Sequence, residues 1–581
     1  MHRNHSHLKL FLAALSLLAG AATGCANDII IEKDVAMKTR DGVTLRADVY
    51  RPKTDGQYPV ILERTPYDKR AETFGKKAAA EGYVFIVQDV RGRFASDGEW
   101  YPLMYESNDG YDTVEWAAAL PYANGKVGMY GFSYSGGTQL MAAIASPPHL
   151  VCIMPVAIAS NCHEQWVYQG GAFSELLNQA WPTALALNTV ERRGGKGTVP
   201  ANWDRKRPLI DYPVLETTVA GLAPYYYDWL AHPSYDDYWK RWVIEEHFSQ
   251  ILVPILHVGG WYDMFQQGAI RGYLDVRRQG GSAAARQGQR LLMLVGGHAG
   301  GGPKIGDIDF GKSVVVDFGT LALRWCDYQL KGKANGMADE KPVRYFLMGR
   351  NVWCDADDWP PAGVQAARYF LHSAGKANTL TGDGALSTDA PAAEPADQYV
   401  YDPADPVPTH GGPSFGGADS TPGPYDQRTV EARPDVLVYS TPAFTRDTTV
   451  VGPVTLELSV SSSAVDTDFT GKLIDVGPDG YARNLLEGIL RARYRDSREQ
   501  AGLMTPGKIY RVTVDLGATA NVFLAGHRLR VEVSSSNFPR FDRNLNTGAD
   551  IASPDPRAVK ANNMIYHDRD HPSALVLSVA P

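Results

Sequence analysis

Apolar and polar positions alternate on both sides of Asp41-Gly42 across residues 35–50, and Val43, Leu45, Ala47 and Val49 fall on one face. A period of two around a Gly-containing turn predicts an antiparallel hairpin. The pattern then changes. The short apolar runs Val60-Ile61-Leu62 and Val84-Phe85-Ile86-Val87 flank a stretch over 70–81 rich in Ala, Lys and Glu. Those residues lose little side-chain freedom in a helix, so the stretch predicts one. Tyr111, Val114 and Ala118 mark a further helix face ahead of a strand over Val127 to Tyr130, and another helix is predicted over Thr138 to Ala145. Strands alternating with helices predict a mostly parallel sheet covered on both faces.

Residues 156–248 break this rhythm. They are dense in aromatic side chains, among them Trp166, Trp181, Trp203, Tyr225, Tyr226, Trp229 and Trp239, with helical stretches such as Phe173 to Ala186 and no clear strand run. This predicts a helical cap inserted into the α/β unit. The rhythm resumes with a strand over Ile251 to Val258, a helix near Gly268 to Arg278 and a strand over Leu291 to Val295. Beyond about residue 341 helical patterns vanish. Short alternating runs recur, including Val454 to Val460, Leu473 to Val476, Tyr510 to Val514 and Leu529 to Val533, while 388–426 is rich in Pro, Gly and Asp and reads as loop. Strands of this length between turn signals predict a β-sandwich or jelly roll. The expected organisation is a signal segment over 1–25, an α/β core over 26–155 and 249–340, the cap over 156–248, and the jelly roll over 341–581.

Composition narrows the function. A net charge of −8 without a basic stripe argues against nucleic acid as a partner. Arg3 and Lys9 precede an apolar run, Leu10 to Leu18, and small residues lead to Ala22-Thr23-Gly24-Cys25. That order is a secretory signal, and the run is too short to span a bilayer. The ending resembles a lipobox with Cys25 as the lipidated first mature residue, although Ala22 stands where Leu is preferred. The expected location is the periplasm or outer membrane, with membrane attachment through Cys25; cleavage nearby and plain secretion is the alternative. Cys152, Cys162, Cys326 and Cys354 form no C-x-x-C pair, so a zinc or redox site is not indicated. A Cys152–Cys162 disulfide and four isolated thiols both remain open. No metal motif or nucleotide loop is present, so no cofactor is expected; oligomeric state is not legible.

The candidate chemistry lies at Gly131-Phe132-Ser133-Tyr134-Ser135-Gly136-Gly137, between a predicted strand and a predicted helix. A nucleophile elbow needs that setting: the serine occupies a strained turn, and small residues let strand and helix approach. Ser135 is a rival nucleophile. The acid and histidine should follow in that order, each just after a strand. Asp263 follows one strand through Gly259-Gly260-Trp261-Tyr262, and His298 follows the next through Gly296-Gly297. His257 lies within a strand, His232 in the cap, and His410, His527, His567 and His571 beyond the core. A serine hydroxyl needs an adjacent base, the base returns its proton to the leaving group, and an acid holds the imidazole tautomer.

Several segments together resemble one family of α/β-hydrolases, that of bacterial cocaine esterase, glutaryl-cephalosporin acylase, α-amino acid ester hydrolase and X-prolyl dipeptidyl aminopeptidase. They are Arg64-Thr65-Pro66-Tyr67, the run Gln88 to Gly98, Gly131 to Gly136, Gly260-Trp261-Tyr262-Asp263, His232 to Trp239, Asp466-Thr467-Asp468-Phe469 and Gly526 to Arg530. The resemblance implies an α/β-hydrolase core with a helical cap and a C-terminal jelly roll. It implies Ser133 as nucleophile with Asp263 and His298, and an oxyanion hole made by the Tyr67 hydroxyl and the Tyr134 backbone N–H. Two departures stand out. Val295-Gly296-Gly297 precede His298 where the family usually has Gly-Pro-Trp. Met264-Phe265-Gln266-Gln267 follow Asp263 without the carboxylates that amino acid ester hydrolases use to hold an ammonium.

The expected activity is hydrolysis of a carboxylic ester or amide of a small molecule through an acyl-enzyme, of the esterase or acylase type. An X-prolyl dipeptidyl aminopeptidase is the alternative within this class. An inactive surface protein that binds a glycan or partner is the alternative outside it. The acidic and basic residues of Asp89 to Gly98 read as a turn that pairs internally, and Asp236-Asp237 as helix capping.

Overall fold

The computed structural model describes residues 29–200, 203–298, 300–416 and 421–581, so the predicted signal segment and Cys25 lie outside the described residues. The first half of the chain is built on a ten-stranded sheet. Its strands are β1 (Ile29–Lys38), β2 (Thr44–Pro52), β3 (Tyr58–Thr65), β4 (Val84–Asp89), β5 (Ala123–Phe132), β6 (Leu150–Val156), β7 (Leu256–Tyr262), β8 (Arg290–Gly297), β9 (Val343–Leu347) and β10 (Val352–Ala356). They lie in the order β1-β2-β4-β3-β5-β6-β7-β8-β9-β10. Neighbours from β4 to β9 pair in parallel, whereas β1 with β2, β2 with β4 and β9 with β10 are antiparallel.

The local patterns explain the placement. In the first hairpin Leu45, Ala47 and Val49 are all buried, and every residue of β4 is buried because helices cover both faces. Helices α1 (Glu72–Ala80), α2 (Glu106–Ala118), α3 (Tyr134–Ile144), α4 (Glu175–Arg192), α5 (Pro224–Ala231), α6 (Gln266–Gln279) and α7 (Phe318–Lys331) follow in chain order. Ala78, Ala79, Trp325 and Leu330 of α1 and α7 pack on Phe85 and Met154 at one face, while Val114, Ala117, Leu140 and Met141 of α2 and α3 pack on Val60, Leu62 and Met129 at the other. The cap carries α4 and α5. Its aromatic residues form a continuous cluster, with Trp166 and Trp181 ring centroids 4.9 Å apart and Tyr225 and Trp229 5.1 Å apart. Two two-residue ribbons, Tyr168–Gln169 with Ala172–Phe173 and Gly197–Thr198 with Glu216–Thr217, occur where no strand is predicted.

The C-terminal part is an eleven-stranded, mostly antiparallel assembly, in which Ala385–Ser387 and Leu437–Ser440 pair in parallel. Thr448–Ser462 pairs with Tyr510–Phe523, and Asp468–Val476 lies between Ala482–Arg491 and Arg528–Ser534. Leu456, Leu458, Val514, Val531 and Val533 fill the space between its layers.

The structure corrects three sequence expectations. The jelly roll does not start at 341: Val343 pairs with Leu291 and Tyr345 with Met293, so β9 and β10 extend the α/β sheet to Ala356. A period of two marks a strand but does not say which sheet it joins. Asp397–Tyr401, inside the expected loop, is a strand paired with Ala561–Tyr566, and its Asp397, Tyr399 and Tyr401 alternate inward. The strand expected from Ile251 starts at Leu256, since Pro254 lacks the N–H that a ladder requires. Of the two cysteine readings left open, the structure shows free thiols at Cys152, Cys162, Cys326 and Cys354, with the Cys152 sulfur beside Cys326.

Candidate active site

β5 ends at Phe132 and α3 begins at Tyr134, so Ser133 alone makes the turn between them. Its φ of 56° and ψ of −124° are strained for any residue with a Cβ. The turn is tight because a Cβ at Gly131 would come within 2.5 Å of the Ser135 Cβ. The Ser133 N–H donates to the Val156 carbonyl at 2.8 Å, tying the turn to β6. The hydroxyl therefore stands at the C-terminal rim of the sheet, above the start of α3.

Three residues far apart in sequence meet at this rim. Ser133 Oγ is 2.9 Å from His298 Nε2, and His298 Nδ1 is 3.2 Å from Asp263 Oδ1. All three side chains are buried. With Nδ1–H donating to the carboxylate, Nε2 keeps its lone pair for the serine proton. Asp263 Oδ1 also accepts from the Phe265 N–H at 2.9 Å, which holds the carboxylate in place. The segment before Asp263 is anchored residue by residue: Trp261 Nε1 donates to the Phe346 carbonyl at 2.8 Å, and the Tyr262 hydroxyl to the Asn484 carbonyl at 3.0 Å. Gly260 lets β7 pass β8, since a Cβ there would meet the Gly296 oxygen at 2.2 Å. The His298 ring is flanked by Phe132 at 5.2 Å and Phe265 at 5.1 Å between centroids.

Ser135, the rival nucleophile, bonds to the Glu63 carboxyl, which burial pushes up to about 7. Among the described residues no histidine bonds to Ser135. His257 is held inside β7 by Gln289 at 2.8 Å, and burial lowers its pKa to about 4.

The Tyr67 phenol oxygen faces the same point. It accepts from Trp181 Nε1 at 3.1 Å, and both the Ser133 hydroxyl and the Tyr134 backbone N–H lie close enough to interact with it. Burial raises its pKa, so the phenol stays a proton donor. The Tyr134 backbone is pinned by its own side chain, whose hydroxyl donates to Glu106 at 3.0 Å and accepts from the Leu103 N–H at 2.8 Å. Glu106 is in turn paired with buried Arg64 at 2.6 Å.

A small pocket opens beside Ser133. Ile158 and Leu177 line it together with the aromatic rings of Trp166, Trp181, Phe265 and Phe415, and no charged side chain is among its described lining residues. Sequence reasoning missed two of these contributors. Trp181 was one of many cap aromatics with nothing to single it out. Phe415 lies in a Pro- and Gly-rich loop of the C-terminal part, where no periodicity points to a site. Among the described residues no group of three His, Cys, Asp or Glu side chains is placed to hold a metal ion.

Comparison with known proteins places the chain in a family. Residues 41–300 match the X-Pro dipeptidyl-peptidase (S15 family), and residues 335–576 match the X-Pro dipeptidyl-peptidase C-terminal non-catalytic domain. The chain is 37% identical to the cocaine esterase of Rhodococcus sp., covering 94% of this chain and 98% of that protein. An aminopeptidase from a marine sediment Thaumarchaeota archaeon superposes with a TM-score of 0.80 at 26% identity, covering 97% of this chain and 98% of the other. An α-amino acid ester hydrolase superposes with a TM-score of 0.81 at 26% identity and the same coverage. The chain is thus a hydrolase belonging to the α/β-hydrolase family that contains cocaine esterase and the S15 X-Pro dipeptidyl-peptidases.

Proposed function

We propose that Ser133, His298 and Asp263 form a catalytic triad that hydrolyses small carboxylic esters, and activated amides, through an acyl-enzyme. The 2.9 Å contact between Ser133 Oγ and His298 Nε2 carries this reading. In the acylation step His298 takes the serine proton as Oγ attacks the carbonyl carbon. Asp263 steadies the imidazolium. The carbonyl oxygen, now negative, is received by the Tyr67 hydroxyl and the Tyr134 N–H; a donor of this kind contributes about 2.7–4 kcal/mol in the transition state. His298 then protonates the departing alcohol or amine. Water repeats the sequence to release the acid and restore the serine.

The apolar lining of the pocket favours apolar acyl groups. An X-Pro peptide carries an N-terminal ammonium, and no carboxylate among the described lining residues would hold it. This favours the esterase or acylase reading over the dipeptidyl-peptidase one. The test is a panel of p-nitrophenyl esters and glycyl-prolyl anilides on purified protein, with Ser133→Ala as control. That variant should lose about 10⁶-fold in kcat if the triad acts as a unit. Near-normal ester turnover by it would refute the assignment. Fluorophosphonate labelling of Ser133 separates this reading from an inactive binding protein. From residues 1–25 we also propose export with lipid attached at Cys25, to be checked by palmitate labelling of wild type and Cys25→Ala.

A further inference from the structure

Two charged groups of the Asp89 to Gly98 segment, Asp89 and Arg91, are ion-paired. Asp89 accepts from Lys69 at 3.1 Å, and Arg91 bonds to Asp109 at 2.7 Å and to Asp41 at 2.8 Å. Arg93 is different. It is 1% exposed, yet among the described residues no carboxylate oxygen lies within ion-pair distance of it. Its partners are neutral. Nε donates to the Pro66 carbonyl at 3.0 Å and Nη1 to the Leu185 carbonyl at 2.8 Å, and the guanidinium lies 5.2 Å from the Trp100 ring centroid.

Those partners converge on the oxyanion hole from two sides. Pro66 directly precedes Tyr67. Leu185 lies one turn along α4 from Trp181, whose indole N–H donates to the Tyr67 oxygen. Trp100 in turn contacts Trp181 at 5.5 Å and Tyr134 at 5.8 Å between centroids. Burial pulls the guanidinium pKa down to about 10, so it remains a cation at neutral pH. A buried cation without a resident counterion is costly, and neutral carbonyls and a π face offset only part of that cost. The reaction proposed above creates a transient anion on the far side of Tyr67, and a fixed charge needs no reorganisation to meet it.

We propose that Arg93 is a positioning residue of the oxyanion hole: it clamps the Pro66-Tyr67 loop to cap helix α4 and supplies a permanent positive charge behind the Tyr67 phenol. This rests on the triad and oxyanion reading. The experiment measures kcat and KM for a p-nitrophenyl ester, and inhibition by a phenylboronic acid, for R93Q and R93K in wild-type and Y67F backgrounds. Boronate forms a tetrahedral anion on the serine, so it reports the hole and not general packing. R93Q should lower kcat roughly 30-fold and weaken boronate by a similar factor, with KM within about twofold. R93K keeps the charge but loses the two-armed clamp, so its kcat and boronate affinity should fall between those of wild type and R93Q. In the Y67F background R93Q should cost less than about threefold more, because both changes act on one oxygen. The proposal is overturned if folded R93Q keeps wild-type kcat and boronate affinity, if its loss is as large in Y67F, or if R93K is as impaired as R93Q. Should R93Q fail to fold, the R93K comparison alone decides. Ser133→Ala in the same assay keeps the readings apart: turnover by that variant sinks the triad, whatever Arg93 does.

Discussion

Replacing Ser133 by Gly and, separately, by Ala tests the strain at the elbow. Both variants lack the hydroxyl, so both lose the bond to His298 and both should be inactive; the difference between them isolates the backbone. At an unstrained position Gly is the worse residue, because it loses more chain entropy on folding, by about 0.5–1 kcal/mol relative to Ala. Ser133 is not unstrained: at φ 56° and ψ −124° a Cβ crowds its own carbonyl, while Gly reaches this region freely. Residues held in such conformations cost of order 1–3 kcal/mol. Subtracting the entropy term leaves Gly ahead of Ala by about 0–2.5 kcal/mol, the reverse of the usual order. Urea unfolding followed by tryptophan fluorescence measures the difference, and amide exchange at residues 131–137 shows whether it is local. If Ser133→Ala proves more stable than Ser133→Gly by 0.5 kcal/mol or more, the ordinary Gly penalty, the elbow is relaxed and the strain argument fails.

Tyr67→Phe should lower kcat by about 10²–10³ with little change in KM, and it leaves the Trp181 N–H without its acceptor, at a cost of about 1–3 kcal/mol in stability; ester kinetics and urea melts read both. Glu175 is buried at the start of α4, its Oε1 3.8 Å from Arg205 and without a hydrogen bond among the described residues, and burial pushes its pKa up to about 8. Between the ordinary carboxylate range and about 8 the unfolded chain has released this proton while the folded one keeps it, so Glu175 should make stability fall as pH rises through that window and level off above it. Glu175→Gln should flatten that part of the pH–stability profile, and an unchanged slope would count against the assignment. Gly260→Ala should cost about 2 kcal/mol or more and reduce ester turnover, since the added methyl meets the Gly296 carbonyl beside Asp263; wild-type melting and kinetics would show that β7 and β8 can part.

Much of this was legible in the sequence because the physics there is local. The Gly131 to Gly137 run reads as an elbow: only a small-residue turn between a strand and a helix can raise a serine above a sheet. Asp263 and His298 could be placed because each follows a buried apolar run through glycines, and strand ends in a parallel sheet gather on one side. Tyr67 came from resemblance alone, since a tyrosine after a proline carries no periodic signal. Trp181 and Phe415 were not readable, because their roles depend on how the cap and the C-terminal part fold back over the rim. Arg93 looked like its neighbours Arg91 and Asp89; only burial without a counterion distinguishes it. The misplaced boundary at 341 has the same origin: β9 and β10 alternate like jelly-roll strands, and their partners lie in another part of the chain.

Phe415 forms a wall of the pocket from a domain whose relatives are described as non-catalytic, and Ala518 of the same domain donates to Gln266 just past Asp263 at 2.9 Å. The surface facing Ser133 is thus completed by a residue of the C-terminal domain. Exchanging the loop around residue 415 between relatives should retarget the enzyme while the bond-breaking groups stay as they are, and the C-terminal domain is the natural place for new substrate ranges to evolve.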